Sequence, residues 1–213
     1  MDKGSQLFDA ATRFNWPLVR QLIGPETANY YREDEEWEHF ILDILIMSQR
    51  TEEIQMLIQA KADVNSHSWG KWTPLHRACS CSCADIFPIL INAGANVNAC
   101  DQDGDTPLIW AADYALEEAI QLLLSAGADL FLQNSKGETA KKVALKLNKR
   151  EGKITNLLTH YEQQWIHCKS AQIAFCRIFK KHRRTVLVPD MVKLIADLIW
   201  KTRMLPEWRQ KDN

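Results

Sequence analysis

Residues 93–98 read Ala-Gly-Ala-Asn-Val-Asn, and the chain continues through an Asp-rich turn into Thr-Pro-Leu-Ile-Trp-Ala at residues 106–111. Both segments recur along the chain at a spacing of 33 residues. Copies of the first stand at residues 60–65 and 126–130, and copies of the second at residues 73–78 and 139–140. Two segments that recur with one period indicate a chain built of stacked structural repeats.

The repeat carries the signature Thr-Pro-Leu-His-Arg-Ala at residues 73–78, and in this it resembles the ankyrin repeat. The resemblance covers residues 5–160 and is strongest over residues 60–131. It implies an all-α fold, an ankyrin-repeat solenoid of about 4–5 helix-turn-helix repeats with hairpin fingers along one edge. We therefore expect an ankyrin-repeat domain at residues 1–160 and a helical C-terminal extension or cap at residues 161–213.

Local signals place the first helices of this domain. Residues 7–23 and residues 40–58 each have the apolar spacing of a helix pair. Thr51 stands where it would cap the last of these helices. Residues 24–38 contain Gly-Pro and an acidic run, which predict an enlarged finger that leads into the second pair.

Repeat three (residues 69–98) and repeat four (residues 102–131) are the clearest copies. Each opens a helix with Thr-Pro, because proline suits the first helical position. Gly94 and Gly127 follow the second helix of their repeats, where a left-handed residue is expected. Pro88 lies within the second helix of repeat three, so we expect a late start or a local bend there.

Composition limits the classes of protein that this chain can belong to. No run of about 18 apolar residues is present, so we expect no membrane span. The first residues lack an apolar stretch after their charges, and no signal peptide is expected. Six cysteines without the spacing of a disulfide scaffold predict reduced thiols in the cytoplasm. The basic residues 180–184 make the nucleus an alternative location. If the protein is a pathogen effector, its location would be the host cytosol.

The charged side chains are divided unevenly along the chain. Residues 1–133 hold 8 Lys or Arg against 20 Asp or Glu, whereas residues 134–213 hold 18 against 7. The net charge of the whole chain, −1, hides this division. The asymmetry is consistent with two surfaces for different partners, with one surface closing on another, or with an unevenly charged solvated surface.

The resemblance implies non-catalytic protein binding through the finger tips and the concave face of the first helices. The residues that occupy those positions in repeats three and four are the candidate contacts: Trp69, Lys71, Trp72, Arg77, Cys81, Asp103, Trp110, Asp113 and Tyr114. His67, Ser80, Asp101 and Gln102 share these positions. Aromatic and Arg side chains are the usual anchors of protein interfaces.

Four aromatic residues among these candidates, Trp69, Trp72, Trp110 and Tyr114, form what we call the aromatic ridge. We predict that the ridge is the binding surface, and the alternative is that one or two of its members pack on the next repeat. Gly70 lies three residues before the Thr of its repeat rather than two, which predicts a reshaped finger at this point. We expect a monomer that binds a protein partner and no nucleic acid.

Candidate metal and catalytic residues give weaker patterns. His76, Cys79 and Cys83 have helical spacing and could meet a soft metal ion, but small buried thiols explain both cysteines better. The resemblance gives His76 a hydrogen-bonding role within the turn. Cys and His also lie close together at residues 167–168, but no oxyanion motif or Gly-rich phosphate loop accompanies them. We expect no enzyme activity, no cofactor and no metal.

Residues 161–213 do not repeat, and two helices are predicted there, at residues 161–181 and 191–200. The pattern Val188-Pro-Asp with Ile195 faintly resembles the start of an F-box, and Cys176-Arg177 faintly resembles part of a SOCS box. Both motifs recruit ubiquitin ligases, so the alternative function is a ligase adaptor or a host-directed effector. The favoured interpretation is a helical cap on the repeat stack.

Overall fold

The computed structural model describes residues 2–33, 38–147 and 152–182. These residues form paired helices and one short β-hairpin, and the predicted all-α repeat architecture is confirmed. The chain divides between Ala144 and Leu145 into two compact units, which are described separately.

The helices of the first unit come in consecutive pairs. Their bounds are α1 Lys3–Thr12, α2 Trp16–Leu22, α3 Ile41–Met47, α4 Thr51–Gln59, α5 Pro74–Ser80, α6 Ile86–Asn92, α7 Pro107–Asp113 and α8 Glu117–Ser125, and α9 Ala140–Leu147 crosses the division. Strands β1 Tyr31–Glu33 and β2 Glu38–Phe40 pair antiparallel, with Tyr31 opposite Phe40. The predicted enlarged finger is therefore a hairpin, whose residues 34–37 lie outside the described ranges.

Stacking of the pairs explains the period of the sequence. The first helices contact one another in the order α1, α3, α5 and α7. Two sets of leucines spaced 33 residues apart are buried throughout: Leu42, Leu75 and Leu108 in the first helices, and Leu57, Leu90 and Leu123 in the second. Burial of each such side chain contributes about 1.5–3 kcal/mol, so the repeated leucines hold successive pairs together.

A left-handed residue follows α6 and α8, as predicted for Gly94 and Gly127, whose φ angles are 91° and 92°. Lys61 occupies the same repeat position at the end of α4 and has a φ of 72°. A side chain in this conformation costs about 1–2 kcal/mol relative to the right-handed region, and glycine avoids that cost.

Lys61→Gly is therefore expected to raise the free energy of unfolding by about 0.5–1 kcal/mol. The backbone carbonyl of Lys61 accepts a hydrogen bond from the Asn29 amide at 3.1 Å, and glycine keeps that bond. Urea unfolding of the full chain measures the change. Gly94→Lys is the matched reverse exchange and should destabilise by a similar amount. A lower urea midpoint for Lys61→Gly would contradict the interpretation.

Two local predictions have different outcomes. The late start at Pro88 is confirmed, because α6 begins at Ile86 and Pro88 lies in its first turn. The prediction that Thr51 caps α4 is wrong. Arg50 is the residue that precedes the helix, Thr51 is already its first helical residue, and no side chain caps this end.

Repeat three has the reshaped finger that the position of Gly70 predicted. Residues Trp69–Lys71 form a single 3-10 turn, and a bridge joins Ser68 to Trp72. Lys71 has a φ of 59° at the position where repeat four has Gly104, with a φ of 76°. The displaced glycine thus leaves a lysine in the left-handed region at the tip of this finger.

The second unit contains α10, Lys153–His182, which buries Ile154 and Leu158. The predicted helix at residues 161–181 is part of this longer helix. The predicted domain boundary at residue 160 lies inside α10, and the division into domains stays a prediction. Cys176 and Arg177 of the SOCS-like pattern also belong to α10. The F-box-like pattern and the helix predicted at residues 191–200 lie outside the described residues.

Candidate protein-binding surface

Three of the four residues of the aromatic ridge contact one another. The ring centroids of Trp72 and Trp110 are 4.5 Å apart in an edge-to-face arrangement. The rings of Trp110 and Tyr114 stack, with centroids 5.9 Å apart. Trp69 belongs to the adjoining 3-10 turn and is 49% exposed, while Tyr114 is 46% exposed. The ridge therefore combines a packed centre with half-exposed rings.

A buried carboxylate fixes the central ring. The indole N–H of Trp110 donates a hydrogen bond to Asp101 Oδ2 at 3.0 Å. The other oxygen of Asp101 accepts from the backbone N–H groups of Asp103 at 2.9 Å and Asp105 at 2.8 Å. Asp101 thus ties the finger to the ridge and is buried.

The prediction that the Asp101 side chain is a candidate contact for a partner is therefore wrong. An aspartate that begins a tight turn commonly bonds the backbone two residues later, and the Asp-Gln-Asp-Gly sequence carries that signal. What the sequence does not indicate is the bond from Trp110, nine residues away.

Arg77 also makes structural contacts. Its guanidinium carbon lies 4.8 Å from the centroid of the Trp72 ring. Its Nε atom is 3.9 Å from Oδ1 of the buried Asp43. This ion pair joins α5 to α3. The Nε atom has no hydrogen-bond partner among the described residues. Sequence reasoning did not find Asp43, because the carboxylate sits within an apolar helix.

His76 links repeats three and four, and its predicted place in the turn network is confirmed. The backbone N–H of Thr73 donates to Nδ1 at 3.1 Å, so that Nδ1 is an acceptor. Nε2 therefore carries the proton and donates to the carbonyl oxygen of Asp105 at 3.0 Å. Burial lowers the pKa of His76, although the Asp105 carbonyl and the Asp101 charge oppose this. The imidazole is thus held neutral.

The remaining candidate contacts lie around the ridge. Lys71, Asp103 and Asp113 are exposed, and Cys81 is half-buried at the end of α5. The Sγ of Cys81 is 3.7 Å from the Ser80 hydroxyl. These residues leave the ridge bordered by charged side chains.

The other cysteines of repeat three are buried, as predicted. The Cys79 thiol donates to the Pro107 carbonyl oxygen at 3.4 Å, and the Cys83 thiol donates to the Cys81 carbonyl oxygen at 3.3 Å. Burial raises the pKa of both thiols. Among the described residues, no group of three or more His, Cys, Asp and Glu side chains is arranged to hold a metal ion.

The stacked helix pairs define a helical-repeat protein. Family models for ankyrin repeats match residues 57–111 (the many-copy model) and residues 85–167 (the three-copy model). Together they cover more than half of the chain, which therefore belongs to the ankyrin-repeat family. No curated protein matches the sequence. None of the described helices has the length and apolarity to cross a membrane.

Proposed function

We propose that the protein binds a protein partner through the aromatic ridge, without catalysis. The observation that carries the proposal is the packed aromatic centre with half-exposed rings at Trp69 and Tyr114. Large aromatic side chains supply most of the binding energy at many protein interfaces. The family supports a protein-interaction module of this general kind.

The contacts within the ridge support this use because they order the rings before binding. Trp110 is held by the Asp101 hydrogen bond and by two neighbouring rings. A side chain that is already ordered loses less conformational entropy when a partner binds, so more of its contact energy appears as affinity.

The pattern of variation between repeats gives independent support. Leu75 and Leu108 occupy one repeat position and are both buried leucines. Arg77 and Trp110 also share a repeat position, but they differ in chemistry. A repeat stack needs the same residues only where neighbouring repeats pack, so residues at the other positions are free to differ between repeats.

The thiols support the non-catalytic part of the proposal. The thiolate is the reactive form of cysteine, and burial raises the pKa of both Cys79 and Cys83. His76 has both ring nitrogens engaged in the turn, so it is not placed to act as a base for them. We extend the proposal to a monomer in the cytoplasm, the compartment that the cysteine usage predicts.

Tyr114→Ala is the variant that tests the ridge. We expect it to weaken partner binding about tenfold or more, because a half-exposed anchor ring is removed. The melting temperature should fall by at most about 2–4 °C, since only the stacking on Trp110 is lost. Affinity capture from lysate with the full chain identifies the partner, and titration then compares the variants.

Gln121→Ala is the matched control, because Gln121 is exposed on the second helix of the same repeat. It should change neither binding nor melting temperature. Binding that survives Tyr114→Ala unchanged, or that falls equally with Gln121→Ala, would contradict the proposal.

A further inference from the structure

The surroundings of the ridge are acidic. Residues 69–118, which contain the whole ridge, hold 2 Lys or Arg against 7 Asp or Glu. One of the two cations, Arg77, is already engaged by Asp43 and the Trp72 ring. Lys71 is the other and lies at the finger tip. The segment that carries the ridge therefore has an excess of negative charge.

Among the acidic residues of this segment, Asp113 is the nearest in sequence to Tyr114, which forms a half-exposed end of the ridge. It is the last residue of α7 and precedes Tyr114, and it follows Trp110 by three positions. Residues separated by three or four positions share one side of a helix, so Asp113 and Tyr114 lie on the side that carries Trp110. Asp113 is exposed and makes no ion pair within the described part of the chain.

Building on the proposed function, we propose that the partner binds this surface through a basic segment of its chain. An Arg or Lys side chain of that segment lies against the Trp110 and Tyr114 rings and pairs with the Asp113 carboxylate. The partner is a separate protein, and its other contacts are apolar groups on the exposed faces of the rings.

The ridge already contains one example of this geometry. The Arg77 guanidinium lies over the Trp72 ring at 4.8 Å, within the roughly 6 Å at which a cation is attracted to an aromatic face. An acidic segment would face Asp103 and Asp113 with like charge. An apolar segment would cover carboxylates without pairing them. A basic segment places a cation against the rings and also pairs with the carboxylates.

Selection of phage-displayed random dodecapeptides on the full chain tests the inference. We expect recovered peptides to be enriched in Arg and Lys beside apolar residues, and to bind more weakly as salt is raised. Asp113→Asn should weaken them about two- to fivefold, as for an exposed ion pair. Tyr114→Ala should weaken them about tenfold or more.

Asp85→Asn is the matched control, since Asp85 is exposed and its side chain does not cap α6. It removes the same charge outside the ridge and should leave binding unchanged. Peptides that need Tyr114 but are not basic, or are insensitive to Asp113→Asn, would overturn this inference and leave the proposed function standing. A selection that returns no peptide dependent on Tyr114 would overturn both.

Discussion

Glu53→Gln is expected to lower the free energy of unfolding by about 2–3 kcal/mol. The Glu53 carboxylate is fully buried and accepts three hydrogen bonds. Arg20 Nε donates at 2.8 Å, and Arg50 donates from Nε at 3.0 Å and from Nη2 at 2.8 Å. The amide keeps the shape of the side chain but removes the counter-charge of Arg50, while Arg20 keeps only its exposed partner Glu52. Both arginines are partly exposed, so the loss is at the lower end for a buried ion pair.

The same carboxylate predicts a loss of stability in acid. Burial by itself would raise the pKa of Glu53, but hydrogen bonds from Arg50 and Arg20 outweigh it and lower the pKa from 4.5 to about 2. A lowered pKa in the folded state stabilises the protein above the unfolded value of 4.5, and this contribution is lost as the pH falls towards about 2. The wild type should lose about 2 kcal/mol from this group between about pH 7 and about pH 3, and Glu53→Gln should not.

Urea unfolding at both pH values measures these effects, and the chain offers a neighbouring control. Glu52 also pairs with Arg20, but its side chain is 72% exposed. Glu52→Gln should therefore change the free energy of unfolding by no more than about 0.5 kcal/mol at either pH. If Glu53→Gln and Glu52→Gln changed the free energy of unfolding equally, the strength of the Glu53 ion pairs would not come from burial.

Asp101→Ala is expected to lower the free energy of unfolding by about 2–4 kcal/mol, because three donors lose their acceptor at a buried site. The substitution also frees the Trp110 indole, so we expect weaker near-ultraviolet circular dichroism from the tryptophans. Asp101→Asn keeps the oxygen that accepts from Asp103 and Asp105 but presents an amide to Trp110. Its effect should be smaller, about 1–2 kcal/mol.

Asp103→Ala is the control for this second prediction, because the Asp103 side chain is exposed two residues along the same finger. It should alter the free energy of unfolding by less than about 0.5 kcal/mol. If Asp101→Ala and Asp103→Ala had similar effects on unfolding and on the dichroism, the assignment of Asp101 as the residue that positions Trp110 would be wrong.

The sequence predicted those parts of the fold that repeat. Leu57, Leu90 and Leu123 recur with the period and are all buried, because every interface between repeats needs the same apolar contact. Gly94 and Gly127 were likewise predictable, since glycine adopts the left-handed conformation that follows α6 and α8 without the cost that a side chain carries. Such features follow from local chemistry or from the period.

The contacts that fix the candidate surface do not follow the period. Asp101 and Asp103 stand in the same short finger, yet Asp101 is buried and bonded to Trp110 while Asp103 is exposed. Arg77 reaches Asp43 on α3, whose equivalents in repeats three and four are His76 and Ile109 rather than acids. Side-chain contacts between non-equivalent positions need the three-dimensional structure.

Site-specific photo-cross-linking tests the role of the aromatic ridge most directly. A benzoylphenylalanine in place of Tyr114 puts the reactive group on the ridge, and one in place of Gln121 puts it on the exposed side of α8 in the same repeat. With the full chain in cell lysate, we predict a discrete adduct with a protein partner from the Tyr114 position and none from the Gln121 position. Adducts that form only from the Gln121 position would contradict the assignment of the ridge as the binding surface.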